Sequence, residues 1–273
     1  MKKYLGLGFL ILVMSAGLVF ADKPDFQAVD VLPSKGHASV TIPSNAIEIA
    51  PDVFSLGLKL HKGSIVEGIA FVDKKKDFSH KPQHAGNNGG TTCFSFLSKD
   101  TRWKIVEPYI VDPTNLAGLD SYFIKNNTAS DIAKWEGAAS KDILGNEIFG
   151  VVDGADTSSP DSKNEIMFAD IADPGAIAVT IVWGIFSGPP FSRQLVEWDQ
   201  VYDDVDFAWS SSGEAGKMDF ENIATHEIGH SVGMGHPSDS CTEETMYRFA
   251  DFGETKKRDL NSGDIAGVKK LYA

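Results

Sequence analysis

The chain has 273 residues, a formal charge of −13 and two cysteines. That length holds one domain of ordinary size with appendages, and so acidic a surface argues against nucleic acid or an anionic membrane as partner. Two cysteines allow a single intrachain pairing.

Lys2 and Lys3 precede an apolar run through Phe20, and Ala21 closes a small-residue cleavage site. Residues 1–21 therefore read as a secretory signal peptide, with an uncleaved anchor as the alternative. Its removal takes away two lysines and no acid, leaving −15. Secretion to the extracellular space follows, with no membrane contact in the mature form. Residues 22–45 carry Pro24, Pro33 and Pro43 and no period, so little regular structure is expected. Residues 53–60 and 64–72 are apolar or alternating runs around Lys62-Gly63, which predicts a β-hairpin. Residues 73–90 are charged, then rich in Gly and Asn, and read as a linker without core residues. His80 and His84 within it have no apolar face and read as solvated. Residues 22–92 thus form an N-terminal segment, either a removable propeptide or a permanent accessory piece.

The main domain is expected from Cys93 to Ala273, and residues 93–273 alone are expected to fold. Residues 103–111 predict a strand, and residues 120–139 predict a helix with Ile124, Thr128, Ile132, Trp135 and Ala139 on one stripe. Residues 148–152, 165–169, 176–183 and 195–202 predict four further strands. Asp153, Asp156, Asp161 and Asp170 stand in acidic loops where Ca²⁺ is permitted and simple solvation is the alternative.

His226-Glu227-Ile228-Gly229-His230 then places two imidazoles four residues apart, on one face of a helix. Gly233 lets the chain turn, so His236 can return as a third nitrogen donor. Three donors leave the fourth position of a tetrahedral zinc open to water, and Glu227 sits where it can reach that water rather than the metal. The five specified residues of His-Glu-x-x-His-x-x-Gly-x-x-His arise by chance in on the order of one chain in 10⁵ of this length. Thr245-Met246-Tyr247 follows, and residues 260–272 close the chain.

This motif with a downstream Met-turn resembles the metzincin proteases, and Tyr247 directly after Met246 resembles the matrixins among them. The resemblance runs from about Trp103 to Tyr272, with specific motifs in the last third. It implies an α+β, zincin-like fold: a five-stranded twisted sheet with one antiparallel edge strand, a zinc-binding helix, a Met-turn and a C-terminal helix. It further implies a monomeric zinc endopeptidase holding one Zn²⁺ per chain on His226, His230 and His236, with Glu227 as general base and Met246 as a floor beneath the metal. An extended peptide would pair along the edge strand between Ala176 and Trp183. A non-cleaving, zinc-stabilised adhesion module is the alternative, and a zinc hydrolase of another substrate class is a third. Two family features do not carry over. No histidine lies between His84 and His226 to hold a second zinc, and Cys93 lacks the Pro-Arg-Cys-Gly context of a latency switch. A Cys93–Cys241 disulfide is expected in an exported chain, against a competing reading of Cys93 as a thiolate on the zinc.

Overall fold

In a computed structural model, the protein is described over residues 39–76 and 92–273. The signal peptide, His80, His84 and most of the expected linker lie outside these residues. The N-terminal part supplies β1 (Ser39–Val40), β2 (Ile47–Ala50), β3 (Val53–His61) and β4 (Ser64–Lys75). There follow β5 (Ser95–Phe96), β6 (Ile110–Val111), α1 (Ser121–Ala139), β7 (Glu165–Ile171), β8 (Ala176–Ile185) and β9 (Gln194–Asp203). The last third holds β10 (Trp209–Ser210), β11 (Met218–Asp219), α2 (Phe220–Ser231), β12 (Met234–Gly235), β13 (Phe249–Ala250), a 3₁₀ turn (Lys256–Arg258) and α3 (Ser262–Tyr272).

The main sheet is mixed and runs β1-β7-β9-β8-β4-β3-β2, with β6 beside β7 and β13 beside β4. It has nine strands rather than the five expected, because the N-terminal segment is built into it. The strand expected at residues 103–111 shrinks to Ile110–Val111. Pro108 cannot donate to a ladder, and Trp103 is instead a core residue whose indole N–H donates to Ser231 O at 2.7 Å. Residues 148–152 form no strand, and Phe149 and Val151 point to solvent.

α1 forms where its period predicts. Asp120 caps it, accepting from Phe123 N at 2.8 Å, and Ile124, Thr128, Ile132 and Trp135 are buried. Trp135 Nε1 donates to Thr225 O at 2.9 Å, which fixes α1 against α2. Both helices lie on one face of the sheet over a large aromatic core that includes Phe168, Trp198, Tyr202 and Phe220. The opposite face is a second core. There Val40, Leu56, Val66, Ala70 and Val72 cover Met167, Ile171, Val179, Ile181, Trp183 and Val201.

Residues 176–183 were expected to be an open edge. They are not: β4 pairs antiparallel with β8 from Glu67↔Gly184 to Lys74↔Ala176. The linker expected from residue 73 also starts later, since Asp73, Lys74 and Lys75 continue β4. Lys74 is buried in ion pairs with Asp52 at 3.0 Å and Asp173 at 2.9 Å. Lys74 and Lys75, read as part of a linker, are therefore anchored inside the fold.

Cys93 and Cys241 are joined, with Cα atoms 5.5 Å apart and a sequence separation of 148. The bond ties the start of the main domain to the loop between His236 and Met246. Closing a loop of that length contributes roughly 5 kcal/mol in the chain-entropy account. Cys93→Ser with Cys241→Ser should lower the unfolding free energy by several kcal/mol, measured by urea unfolding. A change under about 1 kcal/mol would mean that the bond constrains nothing.

Candidate metal centre

α2 begins on Asp219, whose carboxylate accepts from Asn222 N at 3.0 Å and is itself gripped by Arg258. The helix is continuous through Ser231, so His226 and His230 stack one turn apart on its buried face. Gly229 between them is required by packing: a Cβ there would stand 2.1 Å from the sulfur of Met246. The Met-turn therefore presses directly on the helix backbone beneath the histidines. It is held by α3, where Asp264 accepts from Thr245 N at 2.7 Å and Met246 N at 3.1 Å while also capping its own helix.

Gly233 ends the run with φ near +99°, a conformation that disfavours any side chain. The chain then pairs antiparallel with β5 through Met234 and Gly235, and His236 arrives beside the other two. The three Nε2 atoms converge: 3.2 Å between His226 and His230, 3.1 Å between His230 and His236, 3.3 Å between His226 and His236. Nδ1 of His226 faces Thr245 O at 2.6 Å, and Nδ1 of His230 faces Met234 O at 3.0 Å. Those carbonyls accept only from N–H, so both rings carry their proton on Nδ1 and turn Nε2 lone pairs inward. Burial, then the Lys257 ammonium, pushes His226 down to about 3, and burial likewise lowers His236. The inward Nε2 lone pairs of His226 and His230 cannot satisfy each other. A cation does, and an all-imidazole donor set suits zinc.

Glu227 is fully enclosed. One oxygen accepts from the Thr180 hydroxyl of β8 at 2.5 Å, and the other has no partner. Burial, and then the neighbouring Asp73 carboxylate, raises its pKa well above the ordinary range.

Asp73 was read as the start of a linker, yet it is the fourth side chain of this cluster. Its Oδ1 lies 3.1 Å from His236 Nε2 and 3.2 Å from His226 Nε2, and its Oδ2 lies 3.5 Å from His230 Nε2. Burial alone would raise its pKa, but the histidines outweigh that and hold it well below the usual carboxylate range. Lys257, also buried, donates to Tyr247 O beside the same group. Neither residue had a sequence signal beyond an isolated charge. Thr180 was hidden inside an apolar strand.

The matrixin family matches residues 160–273. The chain is matrixin-like. Human matrilysin is 41% identical to it over 69 residues, a quarter of each chain. Metalloendoproteinase 1 of Glycine max is 40% identical over 75 residues, covering 25% of this chain and 24% of that one. Metalloendoproteinase 1-MMP of Arabidopsis thaliana is 46% identical over 56 residues, covering 20% of this chain and 14% of its own. The chain thus spans about a quarter or less of the curated relatives it matches. The α+β architecture agrees with the matrixin fold, and the N-terminal strands lie outside the matched segment.

The fold also gathers the acidic loop residues. Asp153 and Asp161 meet Glu165, and their charges are shared by Lys163. Asp156 and Asp161 meet Glu197, while Asp170 meets Asp203 and Asp206. Glu197 is fully buried, and one of its oxygens has no hydrogen-bond partner, as is true of one oxygen of Asp156. Burial, then repulsion from Asp199, pushes Glu197 up to about 10. Burial, then Asp153, pushes Glu165 up to about 7. In metal-free buffer these groups bind more protons folded than unfolded, so their contribution to stability is present at acidic pH and lost as pH rises. Glu165 loses its share through about 7 and Glu197 through about 10. The melting temperature of the chelated chain should fall from pH 5 to pH 9, and Glu197→Gln should flatten that slope. An unchanged slope in the variant would remove Glu197 from the account.

Proposed function

We propose that this protein is an exported zinc endopeptidase, holding one zinc on His226, His230 and His236. The convergence of three Nε2 atoms, with both helix imidazoles locked as Nδ1–H tautomers, carries this reading. A zinc ion there would supply Lewis acidity toward a peptide carbonyl and toward water. The protein's own part falls to Glu227. Its unpartnered oxygen faces the same group and can take a proton from the attacking water, then give it to the leaving amine. Met246 and Asp264 keep the floor beneath the histidines rigid.

Export rests on the Lys2-Lys3 and apolar-run pattern of residues 1–21, which lie outside the described structure. Among the described residues no helix is long and apolar enough to cross a membrane. Calcium is the second cation we assign, to Asp156, Asp161 and Glu197, because oxygen donors without hydrogen-bond partners meet there. Added Ca²⁺ should raise the melting temperature most at alkaline pH, where those carboxylates are ionised and otherwise repel one another.

One observation favours a different reading, a closed metal module that does not cut. Asp73 completes a donor set of four protein side chains, and closed sets are typical of structural zinc. The two readings separate on one experiment. The intact chain and its Asp73→Ala variant are incubated with a mixed peptide library, with and without a zinc chelator, and products are read by mass spectrometry. Chelator-sensitive internal cleavage by either protein supports the endopeptidase. Its absence from both, with zinc bound, supports the module.

A further inference from the structure

We propose, on the endopeptidase reading above, that this protein selects substrates with two consecutive basic residues directly after the bond it cuts.

A substrate chain must pass close to the three Nε2 atoms, and the end of β4 marks such a path. Asp73 lies within 3.5 Å of all three. Lys74, the next residue, is paired antiparallel with Ala176 of β8 and parallel with Phe249 of β13. β8 and β13 therefore wall a slot that leads away from the metal centre, and both lie in the matrixin-like residues 160–273. Each wall carries charge held in place. Asp173 stands just before β8; its Oδ1 accepts from Gly175 N at 3.1 Å, and its Oδ2 meets the Lys74 ammonium at 2.9 Å. Asp52, in the turn between β2 and β3, meets the same ammonium at 3.0 Å. Asp251 directly follows β13, accepts from Phe252 N at 2.8 Å, and lies 3.5 Å from the Lys75 ammonium. That ammonium also stands 5.1 Å from the centre of the Phe252 ring, a cation–π contact.

Successive side chains of an extended chain point to opposite sides. One residue of a substrate in this slot therefore faces Asp52 and Asp173, and the next faces Asp251 and Phe252. Two acidic seats on opposite sides, one residue apart, are the complement of adjacent Lys or Arg side chains. Lys74 and Lys75 show that ammonium groups on neighbouring residues reach both seats. An apolar residue at the first seat leaves two carboxylates without a counter-charge, and an acidic residue adds a third. The seats differ in strength. The Asp52 side chain is 9% exposed and that of Asp251 is 55% exposed. Taking the partner from an enclosed charge costs far more than breaking an exposed pair, so the preference should be about tenfold at the first seat and about twofold to fivefold at the second. At longer range, a formal charge of −13 draws cationic chains toward the surface.

The test has a cleavage arm and a binding arm, both on the full chain. In the first, the Asp73→Ala chain is given a peptide library of even composition, and the cut sites are read by mass spectrometry. Lys and Arg should be enriched at the first two positions after the cut. Asp173→Asn, added to that chain, should lower the enrichment at the first position several-fold and spare the second; Asp251→Asn should do the reverse. Cleavage without basic enrichment, enrichment before the cut instead of after it, or enrichment that neither variant moves would overturn the proposal and leave the endopeptidase reading standing. In the second arm, Lys74→Ala, Lys75→Ala and Glu227→Ala are added to the Asp73→Ala chain, which frees both seats and prevents turnover. Labelled peptides that differ only in a Lys-Lys or an Ala-Ala pair are titrated in and followed by fluorescence anisotropy. The Lys-Lys peptide should bind at least about tenfold more tightly, and added salt should narrow the difference. Should the alanines prevent folding, Lys74→Gln and Lys75→Gln keep the side-chain stems and take their place. Equal affinities would overturn the proposal. Selective binding by a chain that cuts nothing would keep the two seats and remove the endopeptidase reading.

Discussion

Glu227→Ala, introduced into a chain that already carries Asp73→Ala, is expected to keep one zinc per chain and to lose peptide cleavage by about 10²- to 10⁴-fold. The zinc should remain because the substitution removes no imidazole and disturbs neither Nδ1 anchor, at Thr245 O or at Met234 O. The loss of cleavage should fall on kcat, since Glu227 moves a proton in the reaction and makes no other contact that a substrate would need. Glu227 accepts a hydrogen bond from the Thr180 hydroxyl and lies beside Asp73. Glu227→Gln is the control for packing: it preserves volume and can still meet Thr180, yet it cannot carry the proton. Metal analysis and steady-state kinetics on the three proteins decide the matter. Retained turnover in Glu227→Ala would assign the base elsewhere, and loss of metal would make Glu227 a ligand. By contrast, His226→Ala, His230→Ala and His236→Ala should each lose metal affinity.

Much of this centre was legible before any fold was known, and the reason is local. The zinc motif fits inside two turns of helix and one glycine turn, so its geometry follows from residue spacing alone. α1 was legible from its period, α3 from its resemblance to the last matrixin helix, and β7, β8 and β9 from short apolar runs. What the sequence hid depends on contacts across great separations. Asp73 stands at the end of an apolar strand, just before a run of lysines, where a solvated linker is the ordinary reading. Nothing local says that β4 will insert beside β8, because strand pairing partners leave no trace in periodicity. The same blindness covered Glu197 and Asp199, which sat unremarked in an apolar strand pattern and prove to be buried carboxylates. The strand expected at residues 103–111 failed for the opposite reason. Its apolar residues serve irregular core packing, and the pattern does not distinguish that from a ladder.

Residues 93–273 expressed alone were expected to fold on the sequence reading, and the structure reverses that expectation. Without residues 39–76 the face of the sheet away from the helices loses its cover. Met167, Ile171, Val179, Ile181, Trp183 and Val201 are all buried there against Val40, Leu56, Val66, Ala70 and Val72. Trp183 is the clearest case: it is fully buried, and Gly68 lies so close over its ring that a Cβ would come within 2.7 Å. Six large apolar side chains returned to water cost about 10 kcal/mol, comparable to the whole stability of an ordinary domain. β8 would also become a bare edge beside that apolar face, a template for aggregation. The shortened chain should therefore be insoluble or lack a cooperative unfolding transition, whereas Asp73→Ala in the full chain should unfold as sharply as wild type. Adding a separate peptide of residues 39–76 during refolding should recover soluble protein, since those residues supply the missing strands. Sedimentation and circular dichroism read both outcomes. A soluble, cooperatively folding 93–273 would instead show that the N-terminal strands are a removable cover.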